Sequence, residues 1–352
     1  MPENIHDLNR DTNRKRNKYS RSIQKELEIV PLAAAHLETA AVLVADRYKE
    51  ERARNPLLLE KYEDPVTVRP LLNYNLEKQA GVAAVRRGKV VGFITSLPFS
   101  SWGIPAVWIP DWGHGAEPHD RGYLYRRLYA ALAEQWVERG HLKHVVMTFT
   151  GEREVLDAWY SLGFGMTNID ALRDVSALSE SVVNLDIRQA GPEDFDILMK
   201  FRDSLCAHLT LTPVFQFIPS EAREKSAEEF RKQLTDENLA IWLACESGKV
   251  IGCMRVVPSS QCDFRMPTVD KSICGISMAF TEKADRLQGV GTALLERVLK
   301  WASEKGYTRC GVDFESANIS ASRFWLTHFR PVCYTLFRHI DGRILQIRRR
   351  EE

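Results

Sequence analysis

Arg286-Leu287-Gln288-Gly289-Val290-Gly291 stands between a run of small and apolar residues, Ile273 to Phe280, and a stretch that sets Leu294, Val298 and Ala302 on one helical face. Leu295 and Leu299 lie beside that face, so the pattern predicts a strand, a loop and a helix. The first N–H groups of a helix lack partners and the macrodipole is positive there, so an anion is stabilised at that end. Glycines at 289 and 291 remove the Cβ atoms that would hold a ligand away from the backbone. The chemistry on offer is the binding of a pyrophosphate by the amides of Leu287 to Thr292, with the Arg286 guanidinium beside it. An ordinary tight turn before a helix carries the same glycine pair, so the loop needs a second signal.

That signal follows the helix. Glu304-Lys305-Gly306 ends it, Cys310 to Phe314 reads as a strand, and then come Asn318-Ile319-Ser320-Ala321-Ser322-Arg323-Phe324-Trp325 and Pro331-Val332-Cys333-Tyr334. With these residues the chain resembles the GNAT superfamily of acyl-CoA-dependent N-acyltransferases. The family signature is R/Q-x-x-G-x-G/A opening a helix, followed by a strand and N-x-x-A-x-x-F-Y. Arg286, Gly289 and Gly291 meet its first part, and Asn318, Ala321 and Phe324 its second, while Trp325 replaces the tyrosine.

The resemblance implies acyl-CoA as co-substrate, with acetyl-CoA the expected donor and a small-molecule or peptide amine as acceptor. It places the pyrophosphate on Arg286, Leu287, Gln288, Gly289, Val290, Gly291 and Thr292, and the pantetheine arm along Ser277 to Thr281, so that Phe280 and Thr281 are candidate contacts. Asn318 would support the loop or the pantetheine. In direct transfer a backbone N–H polarises the thioester, the amine loses a proton, and the thiolate gains one or leaves as an anion. The indole of Trp325 is a poor proton donor. Two substitutes are Tyr334, just past the helix, and Glu315, a carboxylate able to deprotonate an amine directly or through water. A packed tyrosine and a surface carboxylate are the plain readings of the same two positions. The missing tyrosine also leaves open a non-catalytic acyl-CoA sensor or binding module.

Composition narrows the classes. A chain of 352 residues exceeds the usual single core, so two domains are expected. No apolar run approaches roughly 18 residues, which argues against a membrane span, and Met1 to Glu26 contain no hydrophobic stretch of a secretory signal. Seven cysteines without a C-x-x-C spacing fit neither a zinc module nor a disulfide framework, and point to a reducing cytoplasm. A net charge of +1 gives no field toward nucleic acid; the first 26 residues, with seven basic and four acidic side chains, read as a basic, mobile tail. Trp102, Trp108 and Trp112 precede His114, Glu117, His119 and Asp120, whose spacing matches no fixed ligand pattern, so no metal is expected and the tryptophans read as packing.

The chain also repeats itself. Gly88-Lys89-Val90-Val91-Gly92 recurs as Gly248-Lys249-Val250-Ile251-Gly252 at an offset of 160, and Gly140 and Trp159 match Gly306 and Trp325 at an offset of 166. Carried to the phosphate loop, the second offset sets Asp120, Tyr123 and Tyr125 opposite Arg286, Gly289 and Gly291, an arrangement that would repel and block a pyrophosphate. The expected architecture is α/β (α+β): two tandem GNAT-like domains, each a mixed, mainly antiparallel twisted sheet flanked by helices, with two central strands splayed in the binding copy. The tail would span 1–26, a degenerate copy 27–176, and the acyl-CoA-binding copy 185–348. A strand pair is expected to close the first copy after a short helix at Glu152 to Ser161.

Overall fold

The computed structural model describes residues 27–78, 81–101, 103–178, 183, 185–219, 227–228, 230–261 and 269–348. The basic tail and Trp102 lie outside the described residues.

Each half begins with a strand, β1 (Leu27–Pro31) or β9 (Asp186–Gln189), and a long helix, α1 (Leu37–Arg54) or α5 (Phe195–Leu209). A second helix, α2 (Pro65–Lys78), follows in the first half. Before α5, Asp194 accepts from the Gly191 N–H at 2.9 Å and holds Arg188 through two contacts of 2.7 Å, fixing the turn that Gly191-Pro192 opens. The two hairpins then match closely. β2 (Val82–Arg86) turns into β3 (Lys89–Ile94), and β10 (Ala240–Glu246) into β11 (Lys249–Pro258). Both turns carry two successive positive φ values, at Arg87 and Gly88 and at Ser247 and Gly248, as a two-residue hairpin with right-handed strand twist requires. Both pairs also shift register at the same point, after Ala84 and after Ala244.

The halves diverge next. In the second, β11 and β12 (Ile273–Thr281) are each one strand; in the first, the counterpart of β11 is divided into β3 and β4 (Leu97–Ser101), and that of β12 into β5 (Ile104–Ile109) and β6 (His114–Ala116). β3 and β4 are separated at Thr95-Ser96, where the Thr95 N–H donates to the Gly113 carbonyl at 2.7 Å. Helices α3 (Arg121–Glu138) and α6 (Val290–Glu304), strands β7 (Lys143–Phe149) and β13 (Arg309–Glu315), helices α4 (Arg153–Ser161) and α7 (Ile319–His328), and strands β8 (Gly165–Asp174) and β14 (Arg330–His339) complete the repeat. A short helix, α8 (Ile344–Arg348), ends the described chain.

The strand pair expected to close the first copy does not form. A single strand, β8, follows α4, and its partners are β13 and β14 of the second half, while β14 pairs with β7 of the first. Each half thus lends its last strand to the other. The result is a ten-stranded sheet ordered β4-β5-β7-β14-β8-β13-β12-β11-β10-β9, beside a four-stranded sheet β1-β2-β3-β6. A lone β8 would leave a row of unpaired N–H and C=O groups, and the exchange satisfies both of its edges. Leu294, Leu295, Val298, Leu299 and Ala302 of α6 pack on one face of this sheet with Cys310, Val312 and Phe314, as the helical periodicity predicts. Cys274 and Cys310 are fully buried core residues. No helix among the described residues is long and apolar enough to cross a membrane.

The first half is built around buried polar groups. His144 accepts from Tyr129 Oη at 2.7 Å and donates to the His141 carbonyl at 3.0 Å, and burial lowers its pKa from 6.5 to about 4. Burial, with the Arg47 charge, also holds His114 well below its usual value. Both imidazoles are neutral when folded and take up protons when unfolded, so their contribution is present above about pH 6.5 and is lost as pH falls toward 4. Urea titrations from pH 7 to 4 should show unfolding free energy falling steadily, with a shallower fall in His144→Gln; a flat profile would refute the buried-neutral assignment.

Candidate active site

β12 and β13 run parallel and pair only over Ile273–Ile276 with Arg309–Val312. Beyond that point β12 stays with β11 up to Thr281, while β13 stays with β8 up to Glu315. The two strands therefore splay, and Ser277 to Thr281 face Asp313 to Glu315 without backbone pairing. A register shift after Arg255 leaves Ser277 opposite no residue of β11, and it is exposed. Such a bulge re-aims the strand: Ile276 packs under α6, whereas Met278 and Phe280 pack with Phe201 of α5.

The glycine loop follows directly. Gly289 is the N-cap of α6 with φ +85°, and Leu287 is also left-handed at φ +63°. The first N–H to find its helical partner is that of Ala293, bonded to Gly289 O at 3.0 Å, so those of Val290, Gly291 and Thr292 lie in the open first turn. A Cβ at Gly289 would come within 2.5 Å of Val183 Cγ2, and one at Gly291 within 3.3 Å of the Phe324 ring. Leu287 is fully exposed, and Gln288 folds back on the Ala284 carbonyl at 3.0 Å. Arg286 is held rather than free in solvent: Nε donates to Thr281 O at 3.1 Å, with the guanidinium 5.9 Å from the Phe280 ring. This cradle fits a pyrophosphate, and the adjoining splay fits an extended arm.

Asn318 is buried and caps α7, its Oδ1 accepting from Ala321 N at 3.3 Å and from Ser320 Oγ at 3.1 Å. Trp325 is 6% exposed and packs edge-on against Phe324 and Phe329, so the position of the family tyrosine is a core position here. Glu315 ends β13 at the splay. Its carboxylate takes a hydrogen bond from its own backbone N–H, and burial raises its pKa. Tyr334 is not brought to it: β8 lies between, and Tyr334 shares a row with Ile169 and Phe314, so its side chain points to the opposite face. Burial raises its pKa, and Tyr160 and Glu51 of the first half add to the rise.

The first half has the same splay, closed. β5 and β7 pair over Ala106–Ile109 with Lys143–Val146, then separate. His114 spans the gap, donating from Nε2 to Met147 O at 2.7 Å and accepting from Tyr125 Oη at 2.8 Å. Arg47 fills the rest: Nε meets Glu152 at 2.5 Å, and Nη1 donates to the carbonyls of Asp111 and His114 at 2.6 and 2.7 Å. Trp108 and Trp112 meet edge-on at 5.4 Å and pack against a core that joins Tyr48 and Phe149 to Ile273 and Val332 of the second half.

The loop correspondence differs from the expected one. α3 has 18 residues and α6 has 15, nearly one extra turn at the N-terminal end, so the N-cap opposite Gly289 is Asp120, and Gly122, not Tyr125, matches Gly291. Tyr123 and Tyr125 lie inside the helix. The anion seat is still closed, because Glu154 Oε1 accepts from the Gly122 N–H at 2.8 Å. Arg47, Glu152 and Glu154 belong to no motif; only Arg47 leaves a signal, a charged residue in the mostly apolar buried face of α1.

Residues 205–329 match the model of the Acetyltransferase (GNAT) family. No curated protein matches the chain by sequence. Among solved structures, a GCN5-related N-acetyltransferase from Sphaerobacter thermophilus is 12% identical, covers 89% of this chain and 96% of its own, and superposes with a TM-score of 0.54. A glucosamine N-acetyltransferase region of a fungal multi-domain GH3 β-N-acetylglucosaminidase is 13% identical, covering 88% of this chain and 38% of that one, with a TM-score of 0.51. A tandem GNAT protein from the clavulanic acid biosynthesis pathway is 16% identical over 89% of this chain and 98% of its own, with a TM-score of 0.45. At these identities the first two structures speak for the fold alone, and the family match speaks for residues 205–329. The splayed strands and the glycine-led helix lie in the half that matches the Acetyltransferase (GNAT) family model, and the chain as a whole shares the fold of a GCN5-related N-acetyltransferase.

Proposed function

We propose that the protein is an acyl-CoA-dependent N-acyltransferase of the cytoplasm, with acetyl-CoA as donor, and that the second copy alone binds it. The observation that carries this reading is the open first turn of α6 beside an unpaired splay, set against a first copy in which both features are filled. The amides from Leu287 to Thr292 would hold the pyrophosphate, and Arg286 would add charge beside it. Phe280 and Thr281 would flank the arm, and Asn318 would keep α7 in place against the loop. Glu315 is the proposed base, because burial raises its proton affinity and no ion pair holds it among the described residues. Tyr334 sits two strands from β13, roughly 10 Å away at ordinary strand spacing, so the thiolate would leave without it.

Glu315→Gln should lower kcat about 100-fold or more, measured as thiol release from acetyl-CoA across a panel of amines. A carboxylate with a raised folded pKa favours the protonated form, so it costs stability as pH rises through that pKa. The variant should therefore melt no lower than the parent at pH 7.5, which separates a catalytic from a structural role. The buried Trp325 favours a second reading, a non-catalytic acyl-CoA sensor; acetyl-CoA binding with no thiol release from any amine would establish it instead.

A further inference from the structure

Pairing sets Glu315 opposite Asn168, and Asn168 opposite Thr335. Directly opposed residues share a face with Cβ atoms roughly 5 Å apart, so these three form a polar row about 10 Å long across β13, β8 and β14. The next row, Phe314, Ile169 and Tyr334, points the other way, toward the core beneath α6 and α7. The polar row therefore lies on the face away from the glycine loop. A donor held from the α6 side leaves that face for the nucleophile.

Polar side chains drawn out of bulk water are hydrogen-bonded by the protein, by water or by a ligand. All three members of the row are half-buried, yet among the described residues Glu315 takes only its own N–H, and neither the Asn168 amide nor the Thr335 hydroxyl makes a side-chain hydrogen bond. The segments that could cover this face also differ. After α1, Leu58, Leu59 and Tyr62 are buried against Met147, Phe149 and Leu172. After α5, Leu211, Phe215 and Phe217 remain 61%, 71% and 68% exposed. The first copy has closed its face, and among the described residues no such cover lies over that of the second.

We propose that this row reads the acceptor. Glu315 takes the amine, and Asn168 with Thr335 hydrogen-bonds a second polar group of the same molecule. The acceptor class is then a small amine carrying a hydroxyl, amide or carbonyl roughly 5–10 Å from its nitrogen, the span of the row. Asn168 is an acceptor-binding residue that the first copy supplies through its exchanged strand, so the second copy's site is incomplete without the first. The inference rests on the acyltransferase reading above.

The test compares 5-amino-1-pentanol and 4-aminobutanamide with n-hexylamine, which has the same number of heavy atoms. Thiol release from acetyl-CoA is followed in the full chain, in Asn168→Leu and in the nearly isosteric Thr335→Val, with acetyl-CoA affinity measured for each by calorimetry. The wild type should favour at least one polar amine by about ten-fold in kcat/KM, the discrimination expected of about 1.4 kcal/mol. Both variants should lose that preference through the amine KM, with acetyl-CoA affinity unchanged. Equal kcat/KM for all three amines, a preference that survives in a folded variant, or acetyl-CoA binding without turnover of either polar amine overturns the proposal. Failure of the wild type to bind acetyl-CoA would instead overturn the acyltransferase reading.

Discussion

Gly289→Asp is expected to abolish the thermal protection that acetyl-CoA gives the wild-type chain. Residue 289 sits at φ +85°, a region that side chains other than glycine rarely adopt, and its Cβ would meet Val183 Cγ2 at 2.5 Å. The added carboxylate would also lie at the positive end of α6 and compete for the first-turn amides, as Glu154 already does at Gly122 in the first copy. A ligand present at about 100 times its Kd adds about 2.7 kcal/mol, so the wild type should gain several degrees and the variant none. Gly306→Asp is the control. It places the same side chain at a comparable φ of +83° at the far end of the same helix, with nothing within 4 Å. It should lower the melting temperature and keep the acetyl-CoA shift. A full shift in Gly289→Asp, read by differential scanning fluorimetry, would exclude the loop as the anion seat.

Arg47→Ala is expected to cost about 3–5 kcal/mol of stability, the range for breaking a buried ion pair. Its side chain is 0% exposed and that of Glu152 2%. Removing the guanidinium leaves the Glu152 carboxylate without its cation and takes away the donor that Nη1 gives the carbonyls of Asp111 and His114. The Phe149 ring beneath it, 4.6 Å from the guanidinium carbon, loses a packing partner as well. The double change Arg47→Met with Glu152→Leu should recover most of the loss, because it removes both charges while keeping volume. Urea unfolding of the full chain measures both. A loss below about 1 kcal/mol for Arg47→Ala, the scale of an exposed pair, would mean that the pair is solvated and that the first copy's splay is not filled as described.

The sequence revealed what is local. The hairpins at Gly88 and Gly248 were legible because the residues recur and the turn demands positive φ at that point. The α6 face was legible because five apolar residues follow the helical period. Strand exchange was not, because β8 and β14 would read alike whether each paired within its own copy or across; the choice lies in contacts between residues such as Tyr334 and Thr148, far apart in the chain. The loop correspondence failed by three residues because an extra turn in α3 leaves no mark on a periodic pattern. The closure of the first splay joins Arg47 to Glu152, 105 residues later, and no motif links them. Glu315 was legible as a carboxylate before Asn318, but its place on the open face beside Asn168 follows only from the exchanged strand.

The central claim is that one copy binds acyl-CoA and the other has closed both halves of its site. Isothermal titration of the full chain with acetyl-CoA tests it most directly. The expected result is a single site per chain, lost in Gly289→Asp and unaltered by Glu154→Ala. Two sites per chain, or one site that survives Gly289→Asp, would contradict the account.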